Sequence, residues 1–171
     1  GADHLRSRPA LDLLNLPAEA LEKLYGFKVV NDYRAYEGKA KQIVWHEEAY
    51  AVGDSTGVCK TMFTFFTPHL FAFKDFARMT SVVTGLNFTE EEMKVIGRRI
   101  YALERMFNNR EGASRKDDYV PERFFTEPTP MGVEINRGKL IDREKYDVML
   151  DEYYDYHGWD RDGRPTPETL K

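Results

Sequence analysis

The chain has 171 residues, 42% of them hydrophobic and 13% aromatic, with 32% charged and a formal net charge of -4 at pH 7. That length suits one domain with a real core and is short for two, and the composition excludes a disordered chain. Lysines and arginines are spread along the sequence, which leaves no basic footprint for nucleic acid and no dense basic block for an anionic membrane surface.

The opening "GADHLRSRP" starts without methionine inside a polar motif, so the sequence is expected to be a piece of a longer polypeptide. It lacks the basic run and apolar segment of a signal peptide. His4, flanked by Asp3, Arg6 and Arg8, has enough polar neighbours for an anion or acid-base site, and equally for a solvated terminus. "PAEALEKLYG", bracketed by Pro17 and Gly26, reads as a short helix with Leu21 and Leu24 inward. Gly38 through Val52 reads as the next, with Ile43, Val44, Tyr50 and Ala51 at helical spacing. Gly53 is the expected left-handed stop, which puts Asp54 to Cys59 in a turn between two helices.

The most apolar stretch, Met62 to Phe76, is interrupted by Pro68, His69, Lys74 and Asp75; it cannot span a bilayer and is expected to be a buried helix or two. From Pro68 to about Thr84 the pattern Phe73, Phe76, Ala77, Val83 is helical, with Gly85 as its stop. "NFTEEEMKVIGRRIYALERMFN" is the strongest local signal: Thr89 and Glu92 make a capping box, and Met93, Ile96, Gly97, Ile100, Leu103 and Phe107 share one face. Asn109 to Gly138 reads as an ordered loop with Pro121, Pro128 and Pro130, and "NNREGASRKDD" within it as a salt-bridged turn that lacks calcium-loop order. A last helix is expected from Asp142 as N-cap to about Tyr156, with Tyr146, Met149, Leu150 and Tyr153 inward and Gly158 as its stop. No run of period two and no internal repeat appears, so the expected fold is mainly α, an irregular multi-helix domain with long ordered loops.

Cys59 is the one cysteine, which rules out an internal disulfide and suits a reducing cytoplasm. Its residue type leaves three readings open: a small buried hydrophobe, a nucleophile beside a histidine, or one ligand of a metal site. With no CxxC or HxxxH pair in the chain, the third reading demands partners from elsewhere. His46 and His69 stand in aromatic-rich helical contexts that suit hydrogen-bonded structural roles, and His157 falls in the last helical turn, where positive charge meets the helix dipole.

In chain order, "GADHLRSRP", "DSTGVC" at Asp54, "TGLNFTEEEMKVIGRRIYALERMFNNREGASRKDD" from Thr84, "VPERFFTEP" from Val120 and "YYDYHGWDRDGRPTPETL" from Tyr153 resemble the C-terminal part of the tungsten-containing aldehyde ferredoxin oxidoreductase family. The resemblance covers nearly the whole chain. It implies that residues 1–171 are a single helical C-terminal domain of a larger, cytoplasmic, oxygen-sensitive enzyme that oxidises aldehydes to carboxylic acids and passes electrons to ferredoxin. It also implies a tungsten (or molybdenum) bis-pterin beside a four-iron, four-sulfur cluster. "DSTGVC" fits the family's D-x-x-G-[LV]-C segment, so that Cys59 is the implied fourth cluster ligand, Asp54 bonds a pterin ring and the backbone around Val58 touches the cofactor. Arg6 is the implied basic residue toward the pterin, and His4 the active-site histidine that transfers a proton to the substrate oxygen. The loops carrying His4 and Cys59 must then meet through the fold.

The family's upstream cysteine triplet, pterin-sandwiching domain and candidate catalytic glutamate are not in these residues, so the implied partners are the remainder of the polypeptide, ferredoxin and a small aldehyde, with a homo-oligomer possible and neither nucleic acid nor membrane expected. Two further readings stand beside this one. A relative reduces an aromatic-ring CoA thioester within a larger complex, and a cofactor-free member keeps the helices as a structural or interaction module. Joint retention of His4, Asp54 and Cys59 speaks against the second of these.

Overall fold

At the centre of the chain, thirteen residues of one helix lose their water together. This is α2 (Lys39–Thr56), in which every residue from Val44 to Gly53 is buried. A helix buried on all sides needs neighbours on all sides. They are α3 (Phe73–Thr84), α4 (Glu90–Arg110) and α6 (Arg143–His157), all packed on α2, with α3 also against α4. The other helices are α1 (Ala18–Tyr25) and the short α5 (Arg123–Thr126), with a 3-10 turn at Arg115–Asp118. The computed structural model describes residues 6–7, 16–30, 32, 34–59, 71–130 and 137–171. Among them there is no β-strand, one isolated bridge pairs Trp159 with Pro165, and no helix is long and apolar enough to cross a membrane. The mainly α expectation holds.

Two apolar clusters flank α2. Leu21, Tyr25, Trp45, Tyr50, Phe73, Phe76 and Met93 form the larger, and Leu150, Tyr154 and Trp159 the smaller. The α2–α4 crossing is made at a glycine: a Cβ on Gly97 would lie 2.5 Å from the backbone oxygen of Glu48, so α4 touches the spine of α2 directly.

Several local expectations hold. Thr89 accepts from the Glu92 amide and Glu92 reaches back to the Thr89 amide, completing the capping box. Asp142 caps α6 through the Lys145 amide, and Gly26, Gly85 and Gly158 end their helices in the left-handed region. The charged run after α4 is indeed salt-bridged, through Arg110 to Glu111 and Arg115 to Asp151, although it contains the 3-10 turn and α5 follows it.

Four expectations need correction. Gly53 does not stop α2, which runs on to Thr56 and ends at Gly57 with φ 72°. The Gly57 amide donates to the Asp54 carbonyl at 3.2 Å and that of Val58 to Gly53 at 3.0 Å, satisfying acceptors that the last turn orphans. Asp54 is therefore a helical residue, and the coil beyond α2 begins at Val58 and Cys59. On α3, Phe71 and Ala72 precede the helix rather than belonging to it, because the Asp75 carboxylate accepts from the Ala72 amide and fixes the start at Phe73; positions 68–70 and most of the apolar run, His69 included, lie outside the described residues. On α4, Leu103 and Phe107 are exposed, and the buried residues are Met93, Gly97, Tyr101 and Ala102. On α6, the fully buried tyrosine is Tyr154, with Tyr146, Met149 and Tyr153 half-buried, and His157, in the last turn as expected, is buried.

Candidate functional site

Two motifs far apart in sequence meet at Arg6. Its Nη1 lies 3.7 Å from the Asp54 carboxylate in the last turn of α2, its Nη2 bonds Glu104 on α4, and its Nε donates to the Tyr101 hydroxyl at 3.2 Å. The guanidinium also sits 5.1 Å above the Tyr101 ring. Partial burial disfavours its charge, but the bond to Glu104 and the fields of Tyr101 and Glu104 outweigh that and hold its pKa above the ordinary value. Arg6 thus ties the end of α2 to the middle of α4.

Beyond Gly57 the chain presents Val58 and Cys59. Val58 is half-buried and packs on the larger core cluster, which anchors the coil that carries the exposed Cys59. Asp54 is also exposed. An accessible thiol and a carboxylate one helical turn before it form a donor set that can meet a cluster iron and ring N–H donors supplied from outside this chain. No group of three or more His, Cys, Asp or Glu that could hold a metal occurs among the described residues. His4 lies outside the described residues.

Behind Arg6 is a buried polar network that the sequence pattern does not announce. The His157 ring is near-parallel to both Tyr101, at 5.8 Å, and Trp159, at 4.3 Å. His157 Nε2 is 2.8 Å from Glu47 Oε2, and the Tyr153 hydroxyl donates to the same carboxylate at 3.0 Å. Burial first, and the Glu47 field second, push the phenols of Tyr101 and Tyr153 well above their ordinary range, so both stay protonated. A second histidine sits deeper: His46 Nε2 is 2.7 Å from the Tyr25 hydroxyl, and burial with the Lys39 field pushes its pKa down to about 3.

The missed residues are Tyr101, Glu104, Glu47 and His157. One signal was present: Gly97, Tyr101 and Arg105 are spaced by four and share an α4 face. Gly97 meets α2, Tyr101 meets Arg6 and His157, and Arg105 bonds Asp118 and the Gly163 carbonyl. The inward face expected for α4 includes Gly97 but not Tyr101 or Arg105.

A family model described as aldehyde ferredoxin oxidoreductase, domains 2 and 3, matches residues 1–171. Over 134 residues the chain is 34% identical to the tungsten-containing aldehyde ferredoxin oxidoreductase of Pyrococcus horikoshii, covering 78% of this chain and 20% of that protein. Its counterpart in Pyrococcus furiosus is 32% identical over 136 residues, covering 79% of this chain and 21% of that protein. Among solved structures, the active-site complex BamBC of benzoyl coenzyme A reductase with bound 1,5 dienoyl-CoA superposes with a TM-score of 0.65 at 26% identity, over 81% of this chain and 19% of that one. The chain thus spans about one fifth of the length of the relatives it matches.

Proposed function

The chain belongs to the aldehyde ferredoxin oxidoreductase family, and from that premise we propose that it is the single helical C-terminal domain of a cytoplasmic, oxygen-sensitive tungsten enzyme that oxidises a small aldehyde to its carboxylic acid. Aldehyde and water give acid, two protons and two electrons, the electrons passing to ferredoxin. When bound, the tungsten (or molybdenum) bis-pterin supplies the two-electron chemistry and a four-iron, four-sulfur cluster passes the electrons on singly.

This chain's own residues take defined parts. Cys59 gives a thiolate to cluster iron, from a coil that Val58 fixes to the core. Asp54 accepts from pterin N–H donors, with the backbone around Val58 against the same group. Arg6 keeps a positive charge beside Asp54 and toward the pterin, and His4 moves a proton at the substrate oxygen. The observation that supports this reading is the 3.7 Å approach of Arg6 to Asp54, two residues far apart in sequence that the resemblance assigns to the same cofactor.

A second reading draws on the benzoyl coenzyme A reductase likeness: the same scaffold serving a tungsten enzyme that reduces an aromatic-ring CoA thioester in a larger complex. One experiment addresses both. The full-length protein, purified without oxygen, is assayed for aldehyde-dependent viologen reduction and for reduction of an aromatic-ring CoA thioester, alongside Cys59→Ser. Aldehyde activity, lost together with the paramagnetic signal of the reduced cluster in Cys59→Ser, is the expected result. Thioester activity without aldehyde activity favours the second reading, and an unchanged cluster signal in Cys59→Ser would overturn the assignment of Cys59.

A further inference from the structure

Arg6 is fixed along one edge of its guanidinium. Nε donates to the Tyr101 hydroxyl at 3.2 Å and Nη2 donates to the Glu104 carboxylate, two α4 residues at a spacing of three that share a helix face. Tyr101 is a firm support for that edge. It is 8% exposed, its ring lies 5.1 Å from the guanidinium carbon, and it packs near-parallel to His157, whose Nε2 is 2.8 Å from Glu47. The other edge, Nη1, approaches Asp54 at 3.7 Å, close enough for attraction and too far for a hydrogen bond. Of its two carboxylate neighbours, Arg6 therefore bonds Glu104 and stops short of Asp54.

We propose that Glu104, with Tyr101, is a positioning residue for the pterin site: the pair holds Arg6 on α4 so that its Nη1 edge faces the cofactor and does not close on Asp54. The proposal rests on the reading above, in which Arg6 and Asp54 serve the same pterin. Asp54 there accepts from ring N–H donors, and a guanidinium closing on it takes up part of its acceptor capacity and offsets its charge. Without Glu104, Nη1 has to move only about 1 Å to reach hydrogen-bond distance from Asp54. The Arg6–Glu104 pair is a weak stabiliser of the fold, because its side chains are 33% and 45% exposed and solvent screens them. Replacing Glu104 thus tests placement of Arg6 rather than folding.

The test uses the full-length protein purified without oxygen, as the parent, Glu104→Gln, Arg6→Gln and the double variant. Pterin per chain is measured by fluorescence after oxidative release, and the resonance of the pterin-bound metal by electron paramagnetic resonance, with unfolding midpoints alongside. Glu104→Gln is expected to lower pterin per chain about threefold, to shift the resonance as Arg6→Gln does, and to leave the unfolding midpoint at the parental value. In the Arg6→Gln background it is expected to add nothing, because it acts through Arg6. Parental pterin content and resonance in Glu104→Gln would overturn the proposal. A loss of equal size in the Arg6→Gln background would do so too, since Glu104 would then act by another route. Tyr101→Phe keeps the ring and removes the acceptor for Nε; it is expected to show the same change more weakly, and it reads the same contact should Glu104→Gln fail to fold. A parent without pterin contradicts the functional reading and this proposal with it, whereas pterin that is lost in Arg6→Gln and kept in Glu104→Gln overturns this proposal alone.

Discussion

Glu47 gives up water on folding and recovers its bonds from His157 and Tyr153, so its loss leaves both side chains without that partner. Glu47→Ala strands a buried imidazole and a buried phenol at once, and a destabilisation of about 3 kcal/mol is expected in denaturant unfolding. A change below about 1 kcal/mol would show that the network contributes little. His46 gives the chain a pH dependence. Its folded pKa of about 3 lies below the ordinary 6.5, so the unfolded chain binds the extra proton between those values. Stability from this group is complete above pH 6.5 and falls as pH drops toward 3, with a slope approaching about 1.4 kcal/mol per pH unit. His46→Gln keeps a polar side chain against Tyr25 and removes the titration. Unfolding midpoints measured from pH 6.5 to pH 5 should decline in the parent and flatten in the variant; parallel curves would contradict the assignment to His46.

At the scale of elements, the α2–α4 crossing depends on the absence of a side chain. Gly97→Ala places a methyl 2.5 Å from the Glu48 carbonyl oxygen, and neither backbone can yield without moving its helix. A loss of about 3 kcal/mol is expected by denaturant unfolding, against well under 1 kcal/mol for alanine at an ordinary exposed helix site. Helix existence was legible because each start and stop has local chemistry, as at Thr89 with Glu92 and at Asp142. What was not legible follows from tertiary effects. Gly53 and Gly57 are equally good stops in sequence, and the choice falls to Gly57, where Gly53 is buried within the helix and the Gly57 and Val58 amides close the end on the Asp54 and Gly53 carbonyls. Arg105 lies among residues that meet the interior because Asp118, in the 3-10 turn after α4, accepts from it at 2.8 Å.

For the whole molecule, the candidate site was legible only as separate motifs. Nothing local to "DSTGVC" says that Arg6 approaches Asp54, because that contact is made by long-range packing around α4. Nor does the lone thiol of Cys59 reveal whether it is a core residue or a reactive or ligating one; its exposure removes the buried reading. Family membership supplied what local chemistry lacked, and it concerns a polypeptide about five times longer than this chain. The most direct measurement of the central claim is therefore the metal content, by mass spectrometry, of the full-length protein purified without oxygen. Tungsten (or molybdenum) with iron in roughly fourfold excess is the result expected. A well-folded protein containing neither metal would contradict the account and leave these helices as a scaffold.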